Sequence, residues 1–218
     1  MAHNFYQEYR YTSGNNPNGE NGRRLYGRVI NKIEKLSNIK RICELGCGNG
    51  YFAGELAARG YEVVGVDGSE SGVKEAQSAY GQTCRFVQSE IHSSPSGKVG
   101  SDFDLVVAIE VIEHLYRPSD LIEAAVTQLR PGGYLLLTTP YHGYLKNLIL
   151  AVTHRMDNHF NPLWDGGHIK FFSVETLTRL VTLQDFTEIQ FEFFGRFPWI
   201  WKSMICLAKR HAEGVSKP

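Results

Sequence analysis

The 218-residue sequence lacks several features that mark special classes of protein. No apolar run reaches about eighteen residues, so no segment is expected to span a membrane. The 23 basic and 23 acidic residues leave no net charge, which argues against a nucleic-acid partner held by bulk electrostatic attraction. Residues 1–5 do not have the pattern of a signal peptide.

The sequence is also poor in cysteine, with four residues and no CxxC spacing: Cys43, Cys47, Cys84 and Cys206. Such spacing argues against a disulfide framework, so we expect reduced thiols. Together with the absence of a signal peptide, this predicts a cytoplasmic protein. No internal repeat or low-complexity tract is present, and the length favours one domain.

From residue 40 onward, strand-like apolar runs alternate with helix-like stretches. The predicted strands are 41–45, 61–66, 84–88, 102–109, 134–139, 186–194 and 203–209. Strands that alternate with helices at this spacing predict a parallel sheet with helices on both faces. Pro131, Gly132 and Gly133 are expected to break the chain after a helix that reaches Leu129, before the fifth strand.

The chain divides into an N-terminal arm and helix (1–39), a main domain (40–210) and a short tail (211–218). The arm contains Phe5, Tyr6, Tyr9 and Tyr11. Disordered segments are usually poor in aromatic residues, so we expect this arm to pack over a pocket, with a frayed terminus as the alternative. An insertion at 141–170 is rich in aromatic residues and histidine. A segment of this length is more often functional than a plain connection, so it is expected to form a substrate lid.

Three glycines follow the first predicted strand, in the run Glu44-Leu45-Gly46-Cys47-Gly48-Asn49-Gly50. A glycine loop between a strand and a helix lets the backbone approach a ligand and directs amide groups toward it. Asp67 ends the next strand, where a ribose diol would bind. Tyr51 occupies the position at which a dinucleotide fingerprint requires its third glycine, so a dinucleotide ligand is excluded.

Five motifs, in this order, resemble those of class I S-adenosylmethionine-dependent methyltransferases. They lie at 44–50, 63–67, 86–91, 104–114 and 129–133. The resemblance implies a Rossmann-like α/β fold with a seven-stranded, mostly parallel sheet, helices on both faces and a C-terminal antiparallel strand. It implies S-adenosyl-L-methionine as the cofactor. The cofactor-binding residues that it implies are Arg24, Glu44, Gly46, Cys47, Gly48, Asp67, Gly68, Ser69, Ser89, Glu90, Ile91 and Ile109.

Among these residues, Glu90 departs from the pattern of the family, and Arg24 is one of several candidates for its role. Glu90 stands where the family usually has aspartate, and its alternative role is that of a solvated loop acid. An arginine upstream of the glycine loop binds the cofactor carboxylate in the quinone-pathway enzymes. Arg23 and Arg28 compete with Arg24 for that role, because the spacing does not single one out.

A second group of chemically active residues follows the fourth predicted strand: Glu110, Glu113 and His114. If a helical turn begins there, residues at i, i+3 and i+4 point the same way. Two carboxylates and an imidazole in one place favour a compensating divalent metal such as Mg²⁺. His168 is the candidate fourth ligand and His142 competes with it.

This Glu-x-x-Glu-His pattern resembles two groups of methyltransferases with a metal, the ubiquinone-biosynthesis O-methyltransferases and the small-RNA 3′-end 2′-O-methyltransferases. The second group adds a further downstream histidine, as His168 does here. The alternative is that the pattern caps a helix and lines the cofactor site without any metal, as in other relatives.

The sequence therefore predicts methyl transfer to oxygen of a small aromatic or apolar acceptor. His114, His142 and His168 are the candidate catalytic bases. Small-molecule N-methylation, RNA 2′-O-methylation and cofactor binding without catalysis are the alternatives. Trp199 and Trp201 are expected at the acceptor pocket, or else at the interface of a homodimer.

Overall fold

The computed structural model describes residues 20–91 and 97–212. The aromatic arm that the sequence predicts over a pocket, and nearly all of the tail, lie outside these ranges. Among the described residues, no helix is both long and apolar enough to cross a membrane.

Seven strands and seven helices alternate along most of the described chain. The strands are β1 (Arg41–Leu45), β2 (Glu62–Asp67), β3 (Arg85–Gln88), β4 (Phe103–Ile109), β5 (Leu129–Pro140), β6 (Phe186–Phe194) and β7 (Ser203–Arg210). The helices are α1 (Glu20–Ile33), α2 (Tyr51–Ala57), α3 (Glu70–Tyr80), α4 (Pro118–Gln128), α5 (Tyr144–Val152), α6 (Met156–His159) and α7 (Val174–Thr182). A short 3₁₀ turn, Ile112–His114, lies between β4 and α4.

The strands form one sheet in the order β3-β2-β1-β4-β5-β7-β6. Strands β1 to β5 pair in parallel, whereas β7 runs antiparallel to both β5 and β6. The central strands are almost continuously apolar, as expected where helices cover both faces of a sheet. The predicted α/β fold, with one antiparallel strand near the C-terminus, is confirmed.

Alternate residues of each strand serve two separate cores. Cys43 and Leu45 of β1 belong to the core that includes α4 and α7. Ile42 faces the other side, in the core that includes α1, α2 and Ala76 of α3. All four cysteines are free, in line with the spacing, and all four are buried. Because successive side chains of a strand point to opposite faces, one sheet can bind helices on both sides.

Strand β5 begins earlier than the sequence predicts. Leu129 was expected to end α4, but it pairs with Phe103 as the first residue of β5, and the next pair is Leu105 with Tyr134. The intervening residues, which include Gly132 at φ 73°, form a bulge. A Pro-Gly-Gly segment that was expected to interrupt the chain is instead accommodated within the strand.

Asp104 joins three parts of the chain at the N-terminal end of β4. Its Oδ2 accepts hydrogen bonds from the backbone N–H groups of Lys40 and Arg41, each at 2.9 Å. Its Oδ1 accepts one from Arg130 Nε at 2.6 Å. Burial of Asp104 alone would raise its pKa, but the hydrogen bonds from Arg41, Arg130 and Lys40 outweigh it and lower the pKa. The carboxylate therefore fixes where β1 and β5 begin beside β4.

We expect Asp104→Asn to lower the free energy of unfolding by about 1–3 kcal/mol, because an amide nitrogen cannot accept the N–H bonds that it would face. The measurement is the midpoint of urea unfolding. Glu62→Gln is the matched control, since Glu62 pairs with the same Arg41 only at the surface (3.3 Å) and should change stability by less than about 0.5 kcal/mol. Equal losses in both variants would contradict this role of Asp104.

Candidate functional site

The glycine loop joins the carboxyl end of β1 to α2. Gly46, Gly48 and Gly50 all have left-handed backbone conformations, with φ of 78°, 53° and 77°. The N–H groups of Gly46 and Cys47 both donate to the carbonyl of Val66, at 2.7 and 3.0 Å. The loop is therefore bonded to β2 as well as to β1, and its shape depends on glycine.

Two of these glycines also lie where no side chain fits. A Cβ on Gly46 would lie 2.5 Å from Val111 Cγ2. A Cβ on Gly50 would lie 2.7 Å from Ala76 Cβ and 2.8 Å from Phe86 Cζ. The loop therefore packs closely on the neighbouring elements and leaves its backbone as the surface for a ligand.

Asp67 connects this loop to α3. Its Oδ2 accepts from Gly48 N–H and its Oδ1 from Ser69 N–H, both at 2.8 Å. Burial raises the pKa of Asp67, and the two N–H groups oppose that rise. Because a carboxylate oxygen can accept more than one hydrogen bond, both oxygens keep capacity for a ligand hydroxyl.

Glu44 lies almost completely buried near the end of β1. Only 3% of its surface is exposed, and its Oε2 has no hydrogen-bond partner among the residues the structure describes. Burial and then the nearby Asp67 raise the pKa of Glu44 well above its ordinary value. A buried acceptor without a partner is costly, so a donor from a ligand would stabilise this position.

The other predicted cofactor residues lie near the same edge of the sheet or in α1. Ser89 follows β3 and donates its N–H to the Asp67 carbonyl at 2.9 Å, with Glu90 and Ile91 next to it. Gly68 follows β2, and Ile109 ends β4. The carboxyl ends of parallel strands are where ligands bind in open α/β sheets. The role of each residue stays a prediction.

Arg24 lies in α1, at a cavity of about 410 Å³. Arg28 and Leu25 of the same helix, Glu110 after β4, and Lys202 before β7 also line this cavity. The cavity is therefore lined by residues from near both ends of the described chain and by one residue that follows a central strand of the sheet.

The backbone at Glu110 does not have the helical conformation that the sequence predicts for it. Its φ is 53°, and its N–H donates to both the carbonyl and the hydroxyl of Thr138, at 3.2 and 3.0 Å. The Thr138 hydroxyl donates to Glu110 Oε1 at 3.0 Å. Burial raises the pKa of Glu110 to about 7, although Thr138, Lys202 and Lys146 oppose this.

The expected helical turn does not begin at Glu110, because the left-handed conformation interrupts it and the 3₁₀ turn starts two residues later. Among the described residues, the group that could hold a metal consists of Glu113, His114 and His168, without Glu110. The structure thus brings together three of the four predicted metal ligands. One potential ligand atom from each of the three lies within 4.8 Å of the others.

Glu113 is fully buried, and no hydrogen-bond donor of good geometry among the described residues reaches either carboxylate oxygen. Burial and then Glu110 raise the pKa of Glu113 well above its ordinary value, against smaller effects of its own backbone and the Thr139 hydroxyl. His168 Nε2 lies 3.9 Å from Glu113 Oε1. A cation would compensate this carboxylate.

The His114 ring is oriented by the backbone of the insertion. Its Nδ1 lies 2.9 Å from the Gly166 carbonyl and 3.2 Å from the Gly167 carbonyl. Because carbonyl oxygens only accept, Nδ1 carries the proton and Nε2 keeps its lone pair. Burial lowers the pKa of His114, although the two carbonyls oppose that shift, and the lower pKa favours the neutral ring. Histidines that bind metals are commonly held in this way.

The insertion itself holds the third ligand in place. The N–H groups of Ile169 and Lys170 donate to the backbone carbonyl of Glu113, at 2.9 and 3.0 Å. The Trp164 ring lies edge-on to His114 at 6.3 Å and beside His168 at 5.1 Å. Burial and then His114 lower the pKa of His168 to about 4.

His142 lies in a separate aromatic cluster. Its ring is 5.2 Å from His159, 5.5 Å from Phe160 and 5.0 Å from Phe171. Burial, followed by Lys146 and His159, lowers the pKa of His142 to about 3. His142 is not part of the group that could hold a metal, so His168 is the histidine that the structure places beside Glu113 and His114.

Sequence reasoning missed Lys146, which is buried with 4% of its surface exposed. Its Nζ donates to the Tyr141 carbonyl at 2.6 Å. Burial and then Arg196 lower the pKa of Lys146 to about 8. One signal could have identified it, because Lys146 is the single charged residue of helix α5, whose other residues are mostly apolar.

Comparison with known proteins is consistent with this arrangement. A family model described as a methyltransferase domain matches residues 19–190, well over half of the chain. A ubiquinone biosynthesis O-methyltransferase from Rickettsia conorii is 32% identical over 133 residues, which are 58% of this chain and 43% of that protein. One from Leptothrix cholodnii is 32% identical over 124 residues, 55% of this chain and 52% of that protein. The chain spans about half the length of these curated relatives.

Solved structures share the fold over nearly the whole chain. The N-methyltransferase NodS from Bradyrhizobium japonicum, in complex with S-adenosylhomocysteine, has a TM-score of 0.68 and 17% identity, covering 95% of this chain and 99% of that one. Magnesium protoporphyrin IX methyltransferase from Synechocystis, with bound S-adenosylhomocysteine, has a TM-score of 0.63 and 21% identity, covering 94% and 90%. At such identities the likeness shows the fold alone.

We expect Gly46→Ala to lower the free energy of unfolding by about 2 kcal/mol or more, since it adds a clash with Val111 to left-handed strain. Gly60→Ala is the matched control: Gly60 has φ 90° but nothing within 4 Å of an added Cβ, so only the strain of about 1–2 kcal/mol remains. Thermal unfolding of both variants gives the comparison. A loss at Gly46 no larger than at Gly60 would contradict the close packing of the loop on Val111.

Proposed function

Because the chain belongs to the methyltransferase-domain family, we propose that it transfers a methyl group from S-adenosylmethionine to an oxygen atom of a small aromatic or apolar acceptor. The observation that carries this proposal is the three-glycine loop bonded to Asp67 at the carboxyl edge of the sheet. The group of Glu113, His114 and His168 at the next strand end supports transfer to oxygen.

The residues present fit the cofactor. The loop from Gly46 to Gly50 has no side chain at three of its five positions, so a ligand can approach its backbone closely. Glu44 has a buried oxygen that lacks a described partner, and the ammonium of a methionine group is a suitable donor to it. Asp67 keeps acceptor capacity for ribose hydroxyls. The rest of the cofactor site would be formed by Cys47, Gly68, Ser69 and Ile109. The adenine would lie beside Ser89, Glu90 and Ile91. The cofactor carboxylate would bind Arg24.

When bound, the cofactor supplies an electrophilic methyl group on a sulfonium. Transfer to an acceptor hydroxyl would break the carbon–sulfur bond with its electron pair left on sulfur and would form a carbon–oxygen bond, and the hydroxyl proton would go to a base or to water. The protein therefore has to orient the acceptor, exclude water and promote loss of that proton.

The three candidate histidines do not suit the role of base equally. His142 and His168 have pKa values lowered to about 3 and 4, so they are neutral near pH 7 but weakly basic. Neutral imidazole is the form that binds metals. We therefore assign His114 and His168, with Glu113, to hold a divalent cation. Such a cation would lower the pKa of an acceptor hydroxyl. His142 remains a candidate that would act without the metal.

The direct test is incubation with labelled cofactor and three sets of acceptors: catechols and phenols, primary amines, and short RNA with a free 3′ end. Transfer to the hydroxyl compounds supports the proposal. Transfer only to amines would favour N-methylation, and transfer only to RNA would favour 2′-O-methylation. Tight cofactor binding without any transfer would identify a binding protein instead of an enzyme.

We expect His114→Ala and His168→Ala to reduce transfer at least about 100-fold, because each removes a ligand beside a buried carboxylate. The affinity for S-adenosylhomocysteine, measured by calorimetry, should not change. His211→Ala is the matched control, because His211 follows the end of β7 at the opposite edge of the sheet. A chelator should abolish wild-type transfer and Mg²⁺ or Mn²⁺ should restore it. Undiminished transfer in both variants would reject the metal assignment.

A further inference from the structure

Three basic side chains belong to neighbouring segments on one side of the cavity, and Lys202 is the one among them that lines it. They are Lys146 of α5, Arg196 after β6 and Lys202 before β7. Within residues 20–91 and 97–212, none of their nitrogens has a carboxylate oxygen within 4.0 Å. The whole chain has equal numbers of acidic and basic residues, so this grouping is a local asymmetry.

Lys146 is the most unusual of the three because it is buried. Its ammonium can donate three hydrogen bonds, yet the described residues supply one acceptor, the Tyr141 carbonyl. Burying an ammonium costs free energy unless charge or hydrogen bonds compensate it. An apolar helix would not place its one charge inward without some compensation there.

The backbone holds the other two cations in a tight loop. Gly195 and Arg196 both have left-handed conformations, with φ of 73° and 63°. Lys202 N–H donates to the carbonyls of Phe194 and Gly195, at 3.0 and 3.1 Å. The loop therefore returns Lys202 to the end of β6, beside Arg196, where it lines the cavity.

These cations act on one another. After burial, Arg196 and Lys202 are the groups that lower the pKa of Lys146, and Glu110 is the one that opposes them. Lys146 and Arg196 also lower the pKa of His159. Like charges brought together in this way destabilise the site, and a bound anion would relieve the repulsion.

The cavity wall is cationic on its α1 side as well. Arg24 and Arg28 line it, although Arg28 pairs with Glu192 at 3.4 Å. Leu25 and Phe194 supply apolar surface, and Glu110 is the one acidic residue that the described part of the chain contributes to the wall. A ligand that matches this wall has an apolar body and an anionic group.

We propose that the methyl acceptor carries a carboxylate or phosphate group next to its aromatic body, and that Lys202, with Lys146 and Arg196, binds this group. The inference rests on the proposed function and narrows its substrate class from apolar acceptors to anionic ones. The competing source of the same chemistry is the carboxylate of the cofactor.

The test is calorimetric titration of the protein saturated with S-adenosylhomocysteine, using salicylate and phenyl phosphate as anionic probes and salicylamide and phenol as neutral ones. We expect the anions to bind at least tenfold more tightly than their neutral counterparts. Lys202→Met should remove that preference. Lys209→Met is the matched control, since Lys209 pairs with Glu188 near the opposite end of β7 and should keep it.

Three results of this titration would contradict an anion site at Lys202. Equal binding of anionic and neutral probes, no binding of either, or a preference that survives Lys202→Met would overturn the proposal. Lys146→Met should weaken anion binding too, but Lys202→Met, at an exposed position, remains decisive if the buried substitution prevents folding.

The cofactor is tested separately with S-adenosylhomocysteine and 5′-methylthioadenosine, which lacks the amino-acid group. If Lys202→Met weakens the binding of S-adenosylhomocysteine but not that of 5′-methylthioadenosine or of the anionic probes, the cations bind the cofactor carboxylate and the inference is wrong. If anions bind through Lys202 but no acceptor is methylated, the proposed function fails while the anion site stands.

Discussion

The structure depends above all on the two hydrogen bonds that Asp67 accepts from Gly48 and Ser69. They tie the loop after β1 to the start of α3, and so hold two strand ends and two helix starts in one arrangement. Parallel strands bring their carboxyl ends to a common edge, but they do not by themselves order the loops there. A short carboxylate between two backbone amides provides that order while keeping acceptor capacity toward solvent.

Uncompensated polar groups are concentrated along that edge. Glu44 and Glu113 are buried with oxygens that lack described partners, and His142 has a buried Nδ1 in the same condition. Lys146 is buried with one acceptor. In most proteins such buried groups have hydrogen-bond partners, because each group without one lowers stability by roughly 1–3 kcal/mol. Ligands that complete these groups would explain why they lie in one region.

Much of the fold could be predicted because its signals are local. Apolar runs, glycines and alternation determine the strands, and the glycine loop needed no tertiary information. Glu110 could not be placed, because the sign of its φ follows from its bonds to Thr138, which is 28 residues distant. Lys146 and His159 were missed for a related reason. The inward face of α5 and the position of α6 depend on how the insertion packs, which periodicity does not reveal.

The antiparallel insertion of β7 between β5 and β6 has a consequence for the order in which the protein matures. The loop at Gly195 to Lys202 returns to the cavity only once β7 is paired with β5. During synthesis, the glycine loop and Asp67 leave the ribosome more than a hundred residues before Lys202 does. A nascent chain can therefore assemble the part of the site near Asp67 long before it can close the cavity. The cavity is therefore complete only when β7 has joined the sheet.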